Sequence, residues 1–104
     1  MEGSVWSVPV QLPKIPFTLE LNGDRLNAMQ VEIADTGFHL LPDFSGKRSG
    51  RTQIDGGLDC PVSWPKSNLE TLQGKTVRFH IKLTKNADAD PRLYAVYIRS
   101  QGLQ

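Results

Sequence analysis

The sequence predicts an all-β fold, a two-sheet antiparallel β-sandwich of jelly-roll-like type with one short helical turn near residues 67–73. Apolar and polar residues alternate along residues 76–84, which is the pattern of a strand with one buried and one solvated face. Other alternating runs are separated by turn residues at intervals of roughly 8–15 residues, a spacing typical of sandwiches. A single segment carries the capping signals of a helix.

The first part of the chain contains three candidate strands. Residues 5–10 alternate loosely, and Pro9 within them lacks a ladder donor, so this run belongs at a sheet edge or a bend. Residues 17–21 alternate cleanly and end in the turn Asn22-Gly23-Asp24, because Asn and Gly tolerate a positive φ. Residues 29–33 repeat the alternation and direct their three apolar side chains inward.

The middle of the chain is rich in loops. Asp35-Thr36-Gly37 predicts a turn, and residues 42–59 contain four glycines and little periodicity. Within that stretch, residues 51–54 are expected to pair briefly with a neighbouring strand. Residues 60–64 predict a short strand that ends at Pro65.

Residues 67–74 carry the helical signals. Ser67 can act as the N-cap, Glu70 follows it by three residues as in a capping box, and Gly74 can close the turn. Leu69 and Leu72 are expected to anchor this turn to the core.

Residues 76–84 and 93–98 are the clearest strands. In the first, alternate residues from Val77 to Leu83 face inward. In the second, apolar residues occupy both parities, which indicates a strand that is covered on both faces. Residues 86–91 are rich in Asn, Asp and Pro and predict a hairpin connection between the two strands.

Size and composition indicate one ordinary globular domain. We interpret residues 1–104 as a single β-sandwich, with residues 1–4 as a flexible tail or a cloning remnant. The net charge of +1 gives no basic stripe for nucleic acid, and Lys47, Arg48 and Arg51 are interpreted as a solvated loop. Every apolar run is far shorter than the ~20 residues that span a bilayer, which predicts a soluble protein without a membrane partner.

Several segments occur in an order that resembles a known family. They are Leu19-Glu20-Leu21-Asn22, residues 29–35, Phe44-Ser45, Val62-Ser63-Trp64, residues 69–81 and Leu93-Tyr94-Ala95. Over residues 17–98 this progression resembles the small β-sandwich at the C-terminus of bacterial glycoside hydrolase family 32 proteins and of sialidase-like propeller proteins. In those enzymes the catalytic carboxylates lie on a propeller, which this sequence does not contain. The resemblance therefore implies an accessory domain without catalytic residues, whose parent protein is secreted or periplasmic.

The titratable residues indicate neither a catalytic nor a metal site. Glycoside hydrolysis needs two carboxylates about 5 Å or 6.5–9.5 Å apart. The candidates are Glu20, Glu32, Asp35 and Asp59. Glu20 and Glu32 are expected on solvated strand faces, with an acid pair as the alternative. His39 and His80 lack a third ligand at metal spacing, so no cofactor is expected. Residues 86–90 alternate oxygen-bearing side chains as hard-cation loops do, but are interpreted as a hydrophilic hairpin tip because an EF-hand glycine and distal Glu are missing.

Sugar binding on a β-sandwich needs exposed aromatic rings with polar groups beside them. Trp64 and Tyr94 lie among apolar strand residues and are interpreted as core or core-rim. Trp6 lies on a predicted edge strand and is the better exposed candidate. The candidate carbohydrate-binding residues are Trp6, Glu20, Arg92 and Arg99, the last three as hydrogen-bonding groups.

These observations leave three functions open. A non-catalytic accessory domain that packs on the catalytic domain of a longer parent chain predicts an apolar patch of a few hundred Å². A carbohydrate-binding module predicts an exposed ring with convergent polar groups. A small hydrolase needs two carboxylates or a Ser/His pair in one cleft. A homo-oligomer through the sheet edges is a further option. Cys60 stands alone, so the sequence predicts no internal disulfide, and the N-terminus has no signal-peptide pattern.

Overall fold

The computed structural model of the protein describes residues 2–84 and 92–100. In this part of the chain there are eight strands and four short 3-10 turns, and no helix is long and apolar enough to cross a membrane. The strands are β1 (Glu2–Trp6), β2 (Val10–Gln11), β3 (Phe17–Asp24), β4 (Met29–Ala34), β5 (Arg51–Thr52), β6 (Gly56–Ser63), β7 (Thr76–Thr84) and β8 (Arg92–Ser100). The 3-10 turns are Leu26–Ala28, Pro42–Phe44, Gly46–Arg48 and Leu69–Leu72.

The strands form two antiparallel sheets, which confirms the predicted all-β sandwich. In sheet I, β1 and β2 lie one after the other along one side of β7, and β4 lies along the other side. Sheet II has the strand order β5-β6-β3-β8. Strands β3 and β4 are consecutive in the chain but belong to different sheets. They therefore do not pair with each other across the turn between them.

The hydrophobic core lies between the inner faces of the two sheets. The predicted inward residues of β4 and β7 are buried as expected, except Leu83, which is partly buried against the core. Strand β3 contributes Leu19 and Leu21. Burying one such aliphatic side chain contributes about 1.5–3 kcal/mol, so the period-two alternation of these three strands supplies much of the driving force for folding. Trp64 is a core residue, as the sequence predicts, and Cys60 is buried in the core as well.

The edge strand of sheet I is interrupted at Pro9, which separates β1 from β2. Ser7 compensates at this break: its backbone amide donates to the Phe79 carbonyl (2.9 Å), and its hydroxyl oxygen accepts from the Phe79 amide (2.8 Å). A hydroxyl thus replaces a strand carbonyl beside the missing donor of a proline. Gly3 and Ser4 pair with β7 within β1, so the prediction of a flexible tail over residues 1–4 is wrong for these two residues.

The last strand differs from its prediction. β8 pairs with β3, whereas β7 lies in sheet I, so these two strands do not form the predicted hairpin. The connecting segment 86–91, with its predicted hairpin tip, lies outside the described residues. β8 is also not covered on both faces: as an edge strand it leaves Tyr94, Val96 and Tyr97 exposed by 65%, 40% and 45%. The apolar residues on both faces of β8 therefore reflect an exposed edge strand and not a strand that is buried on both faces.

The predicted helical turn is confirmed as the 3-10 turn Leu69–Leu72, with both leucines buried. Its N-cap is Asn68 rather than Ser67, because the Asn68 side-chain oxygen accepts from the Glu70 amide at 2.9 Å. Asn is at least as good an N-cap as Ser. Because the two capping residues are adjacent, the sequence alone does not decide which of them begins the turn.

The two sheets are joined at one corner by Gly50, which directly precedes β5. Gly50 exchanges both backbone hydrogen bonds with Val31 of β4 (2.8 and 2.9 Å), which connects the segment leading into sheet II to sheet I. The indole nitrogen of Trp64 donates to the same Val31 carbonyl at 3.1 Å. A Cβ on Gly50 would lie 2.5 Å from the Trp64 ring, so this packing requires glycine.

Candidate functional site

The four predicted carbohydrate-binding residues do not form one site. Glu20 and Arg99 are joined on the outer face of sheet II, where Arg99 Nε donates to Glu20 Oε1 at 2.9 Å. Arg92 begins β8 in the same sheet, and its side chain lies outside the described residues. Trp6 lies in β1 of sheet I, so the structure does not bring it together with the other three residues.

The outer face of sheet II carries a polar cluster around Glu20, in which one arginine contacts two carboxylates. Thr18 donates its hydroxyl to Glu20 Oε2 (3.1 Å), and Arg99 Nη2 also contacts Asp59 Oδ2 (3.3 Å). The hydrogen bond from Arg99 to Glu20 and the charges of Glu20 and Asp59 raise the pKa of the guanidinium above its ordinary value. Glu20 is buried rather than solvated as predicted, and its carboxylate contacts Arg99 of β8 and Thr18 of its own strand.

Two tyrosines lie beside this cluster, and sequence reasoning missed them as surface groups. Tyr97 is opposite Glu20 in the β3–β8 register, and its hydroxyl oxygen accepts from Asn22 Nδ2 at 3.4 Å. Tyr94 is exposed, which corrects its assignment to the core, and it donates to Asp24 Oδ2 at 3.0 Å. We name Asn22, Asp24, Tyr94 and Tyr97 the tyrosine face.

A register shift explains how residues three apart share this face. The β3–β8 pairing shifts between Asn22 and Gly23, and Tyr94 is the extra residue of β8 at that bulge. A bulge inserts one residue into the ladder, which changes the parity of everything beyond it and redirects a side chain. Strict alternation would have placed Tyr94 and Tyr97 on opposite faces. The Asn22-Gly23 dipeptide is the sequence signal for this bulge, although its pattern by itself predicts the end of a strand.

The outer face of sheet I carries a row of three side chains across three strands. Trp6, His80 and Glu32 lie opposite one another in the register of β1, β7 and β4. The Trp6 ring stacks on the His80 ring with centroids 4.2 Å apart, and His80 Nδ1 lies 2.8 Å from Glu32 Oε1. The amide of Gly46 donates to Glu32 Oε2 at 2.8 Å, which fastens the loop after β4 to this row.

Glu32 is buried, although its strand parity predicted a solvated position. Burial raises the pKa of this carboxyl, but the Gly46 amide, the His80 contact and the positive charge of Lys82 lower the pKa by more, so the net shift is downward. A carboxyl group that acts as a general acid needs a raised pKa. The pKa of Glu32 is lowered instead, so this residue is a structural anion held by hydrogen-bond donors.

The loop that follows β4 adds a second aromatic ring next to Trp6. Asp35 Oδ1 accepts from the amides of Gly37 and His39 (both 2.9 Å), which forms the predicted turn. These two bonds and the nearby His39 side chain lower the pKa of Asp35, the His39 amide having the largest effect. The turn positions Phe38 at a positive φ of 68°, with its ring 5.1 Å from Trp6 in an edge-to-face arrangement.

Exposed apolar side chains gather where the edge strands of the two sheets face each other. We define the β1–β8 edge as Val5, Trp6, Val8 and Val96, whose exposed fractions are 53%, 37%, 73% and 40%. Behind this edge a groove of about 350 Å³ opens between the sheets. Its lining is apolar and includes Val5, Leu19, Phe79, Ile81, Val96 and Ile98. Neither edge strand is paired on this side within the described residues, so backbone donors and acceptors are available next to the apolar surface.

The two glutamates of the sheets lie apart from each other. Glu20 and Glu32 lie in different sheets, and each is bound by its own basic partner, Arg99 or His80. Over residues 2–84 and 92–100, no three His, Cys, Asp or Glu side chains are placed to hold a metal ion. The chemistry that this surface supports best is contact with apolar groups at the β1–β8 edge and stacking on rings at the tyrosine face. Comparison of the chain with protein-family models, with curated proteins and with solved structures finds no match.

Proposed function

We propose that this jelly-roll-like sandwich is a non-catalytic accessory domain of a glycoside hydrolase-related protein, which packs on the catalytic domain of a longer parent chain. The observation that carries the proposal is the β1–β8 edge: Val5 and Val96 are exposed where they line an apolar groove, and Trp6 and Val8, close to Val5 along the chain, are exposed as well. Single exposed apolar residues are ordinary, but an apolar groove that opens between two unpaired edge strands is typical of a surface that contacts protein.

The charges of the described residues agree with a supporting role. At pH 7 an active carboxylate must be accessible to substrate, whereas Glu20 and Glu32 are buried and bound by basic partners. The occupant that fits the β1–β8 edge is an apolar segment of a partner domain. The groove behind this edge has an almost wholly apolar lining, in which Ser7 is the polar residue. The resemblance of residues 17–98 to C-terminal sandwiches of propeller enzymes supports a propeller as this partner.

The test is amide hydrogen exchange on this chain alone and on the full product of its native gene. We expect residues 2–11 and 92–100 to gain protection in the longer protein, and residues 56–63 of sheet II to exchange equally in both. The variant Val8→Asp changes a side chain that is 73% exposed, so the isolated domain should lose less than about 0.5 kcal/mol of stability. In the longer protein the same variant should remove the added protection.

A native gene that encodes no further domain would refute the proposal. Equal protection of β1 and β8 in both proteins would also refute it. Light scattering on the isolated chain measures whether it forms a dimer. A dimer that protects the same edge would assign the edge to a second copy of this chain rather than to a propeller.

Carbohydrate binding is a second candidate, favoured by the tyrosine face. Two exposed rings lie beside Asn22, Asp24 and the Glu20–Arg99 pair, which combines stacking surfaces with groups that bond hydroxyls. Calorimetric titration with neutral polysaccharides tests it. We expect Tyr97→Ala to abolish any binding and Trp6→Ala, on the other sheet, to leave it unchanged. No heat at millimolar ligand, or loss in the Trp6 variant alone, would exclude this face.

A further inference from the structure

A second concavity, of about 250 Å³, lies between the loop before β5 and the end of β6. Its polar lining consists of Lys47, Ser49, Arg51, Thr52, Gln53 and Ser63. None of these residues belongs to the β1–β8 edge or to the tyrosine face. The cavity is therefore independent of the proposed function.

The floor of this cavity is fixed by the chain. Ser49 donates its hydroxyl to the Gly46 carbonyl (2.7 Å) and Thr52 donates to the Ile54 carbonyl (2.8 Å), and both residues are buried. Arg51 and Ser63 are directly opposite each other in the β5–β6 register. One guanidinium nitrogen of Arg51 donates to the Asn27 carbonyl at 3.2 Å, which holds the side chain while its other N–H groups stay available.

Among the described residues no Asp or Glu lines the cavity, and its charged groups are Lys47 and Arg51. The structure also divides the basic cluster that the sequence presented as one solvated loop. Arg48 pairs with Asp43 at 2.8 Å, whereas within residues 2–84 and 92–100 neither Lys47 nor Arg51 forms an ion pair. These two cations share the cavity with the Gln53 amide and the Ser63 hydroxyl, which are further donors.

We propose that this cavity binds an oxyanion. A planar guanidinium matches two oxygens of a carboxylate, sulfate or phosphate, an ammonium adds a second charge, and neutral donors complete the set. The oxyanion is either a free inorganic ion or a sulfate group carried on a sugar, and both present the same oxygens.

Amide chemical shifts of the protein tested against sodium sulfate, at constant ionic strength with sodium chloride, measure this binding. We expect saturable shifts at Ser49, Arg51 and Ser63, and weaker binding by about tenfold in Lys47→Gln. The variant Arg51→Lys keeps the charge but loses the fork and should also weaken binding. Lys75→Gln removes the same charge from an exposed position outside the cavity and should change the affinity by less than about twofold.

Shifts that grow linearly without saturation would overturn the proposal. Equal weakening in Lys47→Gln and Lys75→Gln would overturn it as well, because general surface charge would then explain the effect. Galactose 6-sulfate distinguishes the sources. Tighter binding than inorganic sulfate assigns the cavity to a sulfated sugar, and weaker binding assigns it to the free ion. Either result leaves the outcome of the hydrogen-exchange test on the β1–β8 edge unaffected.

Discussion

Gly50→Ala tests the packing of the corner that joins the two sheets. A Cβ at this position would lie 2.5 Å from Trp64 Cε2 and 2.6 Å from Val62 Cγ1. Favourable carbon–carbon contacts lie at about 3.5–4.0 Å, so the new methyl group would be about 1 Å too close to both side chains. Neither neighbour is the free end of a flexible side chain, because Trp64 and Val62 are both buried.

The size of the effect follows from two contributions. Overpacking of a core by a methyl group costs about 1–3 kcal/mol. Moving the Trp64 ring to relieve it also breaks the hydrogen bond from the indole to the Val31 carbonyl, which costs about 1 kcal/mol more. The free energy of unfolding should fall by about 2–4 kcal/mol, or the Tm by roughly 8–16 °C in a domain of this size.

Thermal unfolding followed by circular dichroism measures this, with Gly3→Ala as the matched control. A Cβ on Gly3 would meet no heavy atom within 4 Å, and Gly3 has no positive φ, so alanine there should leave Tm unchanged or slightly higher. The double variant Gly50→Ala/Trp64→Leu should cost less than the two single changes added together, because the smaller side chain leaves room. A Tm for Gly50→Ala within about 2 °C of the Gly3→Ala value would refute the reasoning.

Two further variants test a buried charge and a cap. The pKa of Glu32 is lowered on folding, so its stabilising contribution is complete above the unfolded value near 4.5 and is lost as the pH falls through the folded pKa. Glu32→Gln should therefore cost about 1–3 kcal/mol in urea unfolding at pH 7 and clearly less at pH 3. A cost independent of pH would contradict this. Asn68→Ala should cost about 0.5–2 kcal/mol by the same assay, whereas Ser67→Ala should be near neutral.

The burial of Glu20 and Glu32 shows where parity reasoning stops. Both face away from the core, as alternation predicts, and both are nonetheless covered. Glu32 lies under the Gly46 loop and next to His80, which Trp6 stacks upon. Alternation reports which side of a sheet a residue faces, but the side chains that cross over it come from distant segments, so its solvent exposure depends on contacts that a local pattern does not contain.

The candidate sites were only partly visible for the same reason. Glu20 and Arg99 were both named from the sequence, and the register of β3 against β8 brings them together. The tyrosine face depends on a bulge, and one inserted residue reverses the parity on which its prediction rested. Lys47 and Arg51 share their cavity with Ser63, because the β5–β6 register places Ser63 opposite Arg51.

The amino-acid order was sufficient for the all-β class, for the inward faces of β3, β4 and β7, for the break at Pro9 and for the turn at residues 69–72. Each of these follows from interactions among residues close along the chain, such as alternation, a missing amide or a cap. Strand pairing was settled by three-dimensional packing, which put β7 and β8 in different sheets and gave the β1–β8 edge its exposed apolar groove. Which strands pair depends on the total apolar surface that the whole molecule buries, and the local sequence of a single strand does not determine that total.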